Sequence, residues 1–251
     1  MKKINLILTP IVALPLSAVS CINFNDKQTK PKTSPGDQKP ADTDTKKRDT
    51  EKFNATVSKY NLRLQTKLPY QISKTLTANK ATLALIDNIF DGDTFSFSIE
   101  GGFQSYRSRF SGVDTPEKTV NSEHGRVPSQ GQQHEYALKA SAFTSELLDL
   151  PGIKVYVVPQ KTKNGSSDIT DRYDRIVSIN YIVFDDKVIN LNSELVRLGF
   201  ARMHYISQNE RSTYYTANDI WYYELASSSK EAKEQQRGIY STQANIDQIY
   251  P

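Results

Sequence analysis

The sequence predicts an α+β domain, and three observations carry that reading. Short apolar runs separated by tight turns fill residues 81–113. A segment with helical spacing of its apolar residues comes next. A second group of strands and two more helical segments follow it. Strands with one helix inserted, and further helices after the strands, define the α+β class.

Each element has its own signal. Ala81 to Phe90 and Thr94 to Ile99 are strand-like runs split by the turn Asp91-Gly92-Asp93. Gly101-Gly102 makes a second turn before a strand from Gln104 to Val113. Lys118 to Gln133 is polar, contains Gly and Pro, and reads as a loop. Tyr136, Ala140, Phe143 and Leu147 then recur at spacings of four, three and four, which places them on one helix face. Pro151-Gly152 ends that helix, and Ile153 to Val158 is a β-branched strand. Gln160 to Asp171 is a polar loop. Ile176 to Phe184 and Lys187 to Ile189 form a hairpin around Asp185-Asp186. Asn192 is placed to cap a short helix ending at Gly199, and a last, polar helix runs from about Ala217 to Arg237. Five such strands closing on themselves make a barrel of the OB type, here with three α-helices.

The residues before this domain differ in character. Apolar residues make up 37% of the chain, below the average for a globular protein, so a folded domain is diluted by polar sequence. Lys2-Lys3 precedes an uncharged apolar run from Ile4 to Ser20, which reads as an export signal over residues 1–20. A membrane-spanning helix is the other reading, opposed by the short length and by Pro10 and Pro15. The run ends in Ala18-Val19-Ser20-Cys21, which resembles a bacterial lipobox and makes Cys21 the expected lipidation site; plain secretion is the alternative. Two acyl chains suffice for stable anchoring. Residues 21–52 mix Lys, Asp, Thr, Pro and Gln without an apolar face and read as a disordered tether. Residues 53–80 fit neither helical nor strand spacing well, so the domain is expected over residues 81–245. Cys21 is the single cysteine, so no intramolecular disulfide can form. The net charge of +4 is mild and falls once Lys2 and Lys3 are removed, so any case for nucleic-acid binding rests on individual arginines.

Three segments carry the chemistry. Asp91-Gly92-Asp93-Thr94 is by itself an ordinary hairpin turn, although a carboxylate just past such a turn can hold a hard cation. In Arg109-Phe110-Ser111-Gly112-Val113-Asp114-Thr115-Pro116-Glu117, Arg109 and Val113 share a face if the strand is regular, and Pro116 holds Thr115 extended. Asp171-Arg172-Tyr173-Asp174-Arg175 is a charged loop entering a strand.

In this order, the three segments resemble the signatures of the staphylococcal nuclease (thermonuclease) family: an Asp-Gly-Asp-Thr turn, an Arg-x(4)-Asp-Thr-Pro-Glu segment and an Asp-Lys-Tyr-Gly-Arg segment. Ala140 to Thr144, Leu191 to Ala201, and Ala232 to Tyr240 resemble the family's three helices, so the likeness covers about Ala81 to Ser241. It implies a Greek-key barrel of the OB type and a Ca2+-dependent nuclease acting on DNA and RNA. Asp93, Asp114 and the Thr115 carbonyl would hold Ca2+, which suits hard oxygen ligands. Glu117 would orient and deprotonate the attacking water, while Arg109 and Arg175 would clamp the phosphate. Arg172, Tyr173 and Tyr205 would line the bound nucleotide, with the tyrosine faces stacking on any base. The products would carry 3′-phosphate and 5′-hydroxyl ends. No small-molecule cofactor is expected, and the protein is expected to act as a monomer on the outer membrane face.

Two departures from the family pattern stand out. Asp174 replaces a Gly; it tolerates φ > 0, but its carboxylate would compete for Arg175. The 118–134 loop also differs, which bears on substrate access. His124, His134 and His204 share no metal-ligand spacing and read as surface residues. All five core residues (Asp93, Arg109, Asp114, Glu117, Arg175) are present, which favours an enzyme over a non-catalytic nucleic-acid-binding surface lipoprotein.

Overall fold

The computed structural model describes residues 41–163 and 165–251; the expected signal segment, Cys21 and most of the expected tether lie outside them. The centre of the fold is a closed five-stranded barrel. Its strands are β2 (Ala81–Ile89), β3 (Thr94–Ile99), β4 (Ser105–Phe110), β8 (Lys154–Pro159) and β9 (Ile176–Phe184), counting a short β1 (Ile72–Ser73) that pairs in parallel with β2. The ring runs β2-β3-β4-β9-β8 and closes where β8 pairs with β2. All pairings in the ring are antiparallel except β4 with β9. The parallel pair sets Ser108 beside Ile176 and Arg109 beside Val177. β10 (Lys187–Asn190) completes the hairpin on β9.

Burial explains why these segments are strands. Phe95 and Phe97 alternate inward on β3, and Ile179, Tyr181 and Ile182 of β9 are buried on both of its faces. α2 (Gly131–Leu148) buries the expected face of Tyr136, Ala140, Phe143 and Leu147. α3 (Leu191–Arg197) and α4 (Asp219–Glu234) pack together against the barrel. A 3-10 turn (Gly238–Tyr240) crosses the end of α3, where the Ile239 N–H donates to the Gly199 carbonyl at 2.9 Å. Neither glycine at that crossing has room for a side chain. A Cβ on Gly199 would lie 2.1 Å from the Arg237 carbonyl oxygen, and one on Gly238 2.1 Å from that of Gly199.

Several expectations need correction. Five α-helices are present among the described residues, not three: α1 (Ala41–Tyr60) and the short α5 (Ile246–Ile249) add to the expected set. α1 means that residues 41–52 are helical where a disordered tether was expected. Its apolar stripe is only Phe53, Val57 and Tyr60, a spacing of four and three hidden in a polar window. Phe53 is fully buried and stacks on Phe184 with ring centroids 4.5 Å apart. Lys59 and Tyr60 both bond Glu146 of α2 at 2.7 Å. The stretch after α1 is also integrated, since Leu62 is buried and Gln65 exchanges backbone hydrogen bonds with Val188. The folded unit therefore begins well before residue 81, and it continues to the end of the chain.

The strand expected over 104–113 stops at Phe110. Gly112 takes φ +71°, which turns the chain, and the short β5 (Val113–Asp114) pairs instead with β11 (Arg202–Met203); a Cβ at Gly112 would also lie 2.4 Å from the Leu225 side chain. Arg109 and Val113 thus do not share a strand face. The expected 118–133 loop contains a hairpin, β6 (Thr119–Ser122) and β7 (Gly125–Pro128), and the first residues of α2. The α3 cap is Asn190, whose side chain accepts from the Ser193 N–H at 3.1 Å. Asn192 is instead fully buried, accepting from the Asn180 N–H at 2.9 Å and donating to the Ser111 and Ser178 carbonyls. A buried polar group must find such partners.

Candidate active site

The β2–β3 turn is held from two sides. Thr144 of α2 donates to the Gly92 carbonyl at 2.7 Å, and the Phe110 N–H of β4 donates to the Asp93 carbonyl at 3.0 Å. This presents Asp93 toward the break after β4. There its Oδ2 accepts the Thr115 N–H at 2.8 Å, and Thr94 donates to its Oδ1 at 3.1 Å. The register Thr94↔Arg109 brings Arg109 alongside. The Arg109 guanidinium lies between two carboxylates, with Nη1 against Asp93 and Nη2 3.2 Å from Asp114. Asp114 is engaged on its other oxygen by Arg202 Nε at 2.8 Å.

The electrostatics of this cluster are those of crowded acids. Burial would lower the Arg109 pKa, but Asp93 and Asp114 outweigh it and leave the pKa raised, so the guanidinium is permanently charged. Burial, and then the charge of Asp93, push Asp91 up to about 7. The Glu117 carboxyl is raised for the same two reasons, although its side chain stands exposed at the lip of the site. Its backbone carbonyl is held by Ser129 Oγ at 2.6 Å. Arg109 Nη1 is in direct ion contact with Asp93, and that carboxylate is its acceptor.

Two further groups flank the cluster. Tyr205 takes φ +55°, is 43% exposed, and presents its ring 5.7 Å from the Arg109 guanidinium. Arg172, Tyr173 and Arg175 sit at the entry to β9, where the Ser108↔Ile176 register brings Arg175 in beside β4. Tyr173 is exposed, with the Arg172 and Arg175 guanidiniums 4.9 and 5.2 Å from its ring centroid. Asp174 adopts φ +58°, the left-handed geometry for which the sequence made allowance. The competitor for Arg175 is nevertheless Asp171, not Asp174. Asp171 Oδ2 takes Arg175 Nε at 2.8 Å and Nη2 at 2.6 Å, while its Oδ1 accepts the backbone N–H groups of Tyr173 and Arg175. The structure thus gathers Asp93, Arg109, Asp114, Thr115, Glu117 and Tyr205 into one cluster, and Arg172, Tyr173 and Arg175 into a neighbouring one.

A family model described as Staphylococcal nuclease homologue matches residues 107–242, more than half of the 251-residue chain. The chain belongs to the staphylococcal nuclease family. Its closed barrel with attached helices is consistent with the OB-type α+β fold of that family, and membership is consistent with nuclease or nucleic-acid-binding activity. No curated protein matches the chain.

Staphylococcal nuclease-family enzymes typically use Ca2+, and the donors here can be tested against that ion. Among the described residues no group of three or more His, Cys, Asp or Glu side chains forms a ready-made metal cage. The donors at hand are two carboxylates, Asp93 and Asp114, and the Thr115 carbonyl. This all-oxygen set fits a hard cation that keeps several waters. Asp91 and Glu117 beside it are raised chiefly by burial and then by the charge of Asp93. The histidines do not join this group; His134 Nδ1 lies 3.3 Å from Ser129 Oγ.

Sequence reasoning missed Arg202, Asp171 and Tyr250. Arg202 carried no motif of its own, and its role follows from the β5–β11 pairing that sets it opposite Asp114. Asp171 was quoted only as the start of a charged run. Tyr250 donates to the Asp114 carbonyl at 2.7 Å from a tail that no periodicity marked.

Proposed function

We propose that the chain is a Ca2+-dependent nuclease that hydrolyses DNA and RNA with little sequence preference, leaving 3′-phosphate and 5′-hydroxyl ends. The observation that carries this reading is the Arg109 guanidinium held between Asp93 and Asp114, with Glu117 standing at the lip. The fork geometry of the guanidinium matches two phosphate oxygens. Ca2+, when bound by Asp93, Asp114 and the Thr115 carbonyl, supplies Lewis-acid neutralisation of the phosphate charge.

Glu117 orients a water and takes its proton; a carboxyl raised toward neutrality is better matched to that task. The water oxygen forms a bond to phosphorus, the bond from phosphorus to the 5′ oxygen breaks, and that oxygen leaves as a hydroxyl after gaining a proton. Arg109 stabilises the charge that accumulates on the phosphoryl oxygens. Arg175 lends the same help once it exchanges Asp171 for phosphate. Tyr205 and Tyr173 offer ring faces to bases of any identity.

The test uses purified protein with single-stranded DNA, duplex DNA and RNA, in Ca2+ and in EGTA. Digestion that depends on Ca2+ and yields phosphatase-sensitive 3′ ends is the expected result. Absence of Ca2+-dependent digestion on every substrate sinks the reading.

We also infer that the protein is a lipoprotein held at the outer membrane face through Cys21. The lipobox-like Ala18-Val19-Ser20-Cys21 supports this, and no helix among the described residues is long and apolar enough to cross a membrane. Cys21→Ser should move the protein from the detergent phase to the aqueous phase. Unchanged partitioning would contradict the anchor.

A further inference from the structure

The last residues of the chain, beyond the family match that ends at Thr242, fold back onto the site. Gln132 of α2 holds this tail, donating to the Gln243 carbonyl at 3.0 Å and accepting the Asn245 N–H at 2.7 Å. Ile249 is fully buried in a small cluster with Tyr136 and Ile239. These contacts deliver Tyr250 to Asp114, where its hydroxyl donates to the main-chain carbonyl at 2.7 Å. The Tyr250 ring lies 3.9 Å from the Arg202 guanidinium, and Arg202 in turn donates to Asp114 Oδ2 at 2.8 Å.

One peptide is therefore gripped from both sides. In a planar trans peptide the carbonyl and the N–H point in opposite directions. For the Asp114–Thr115 peptide, the carbonyl accepts from Tyr250 and the N–H donates to Asp93 Oδ2 at 2.8 Å. Holding that plane restricts the main chain at both Asp114 and Thr115, the two residues whose oxygens would face the cation.

We propose that Tyr250 is a positioning residue that clamps the Asp114–Thr115 peptide, so that the C-terminal tail completes the cation site. The proposal rests on the reading of Asp114 and Thr115 as ligands of a hard cation. Tyr250 contacts no reacting atom; it acts through the peptide and through Arg202. Loss of its hydroxyl lowers cation affinity by leaving the ligand-bearing backbone free to rotate, and loss of the whole ring also frees Arg202.

Calcium binding to the full-length protein without nucleic acid, measured by titration calorimetry, tests this for Tyr250→Phe and Tyr250→Ala. Thermal midpoints in EGTA monitor the fold. Tyr250→Phe should raise the Ca2+ dissociation constant about three- to tenfold, in line with one hydrogen bond, with the EGTA midpoint moved by no more than about 6 °C. Tyr250→Ala should raise it further. An unchanged dissociation constant in Tyr250→Phe overturns the clamp, as does a rise that appears only together with a large fall in the EGTA midpoint. If the unmutated protein binds no Ca2+, the metal reading under Proposed function fails first and the clamp fails with it. Binding in the unmutated protein with no change in Tyr250→Phe defeats the clamp alone.

Discussion

Replacing Glu117 with Gln is expected to lower the maximal rate of nucleic-acid cleavage about 10²- to 10⁴-fold, the range contributed by a positioned general base. The substitution keeps the size of the side chain and removes its ability to take a proton. The carboxylate makes no hydrogen bond or ion pair among the described residues, and it stands exposed, so nothing structural depends on it. Removing it even relieves some repulsion with Asp93. Stability should accordingly stay within about 0.5 kcal/mol of the unmutated protein. Ca2+ binding should persist, since Asp93, Asp114 and Thr115 are untouched. Rate at saturating substrate and Ca2+, together with thermal melting, checks both halves. Near-normal turnover would show that another group activates the water.

Phe53→Ala carries the second large effect, this time on the fold. The ring is fully buried and stacks on Phe184 at an interplanar angle of 13°. Truncating a buried Phe typically costs about 3–5 kcal/mol through lost transfer energy and the cavity left behind. In a domain of this size that lowers the melting midpoint on the order of 10 °C. The result distinguishes two roles for α1. A helix merely lying near the domain would leave the midpoint where it is, and such an outcome would remove α1 from the cooperative unit.

The parts of the fold that were legible in the sequence are those with strong local signals. The four-three-four spacing of Tyr136, Ala140, Phe143 and Leu147 marked α2, and the turn at Asp91-Gly92-Asp93 marked the β2–β3 hairpin. What stayed hidden depended on long-range packing. Three apolar residues in a helix as polar as α1 give almost no amphipathic signal, yet one of them completes the core of the barrel. At Gly112 the chain takes a positive φ with Leu225, more than a hundred residues away, packed against it, and local alternation carries no trace of that. In the site, the residues fixed by short motifs, Asp93, Arg109, Asp114, Thr115 and Glu117, do converge. Their supports, Arg202 and Tyr250, arrive through strand pairing and tail docking, neither of which leaves a pattern in the chain.

The crossing of Gly199 and Gly238 has a consequence for how the protein can vary. Most tight contacts in a core tolerate paired changes, because a larger residue on one side is matched by a smaller one on the other. Here the obstruction to each Cβ is main chain: the Arg237 carbonyl on one side and the Gly199 carbonyl on the other. No second side-chain substitution can shrink a carbonyl, so a larger residue at either position has no neighbouring side chain to trade volume with. The crossing also lies just upstream of the tail that carries Tyr250 to Asp114.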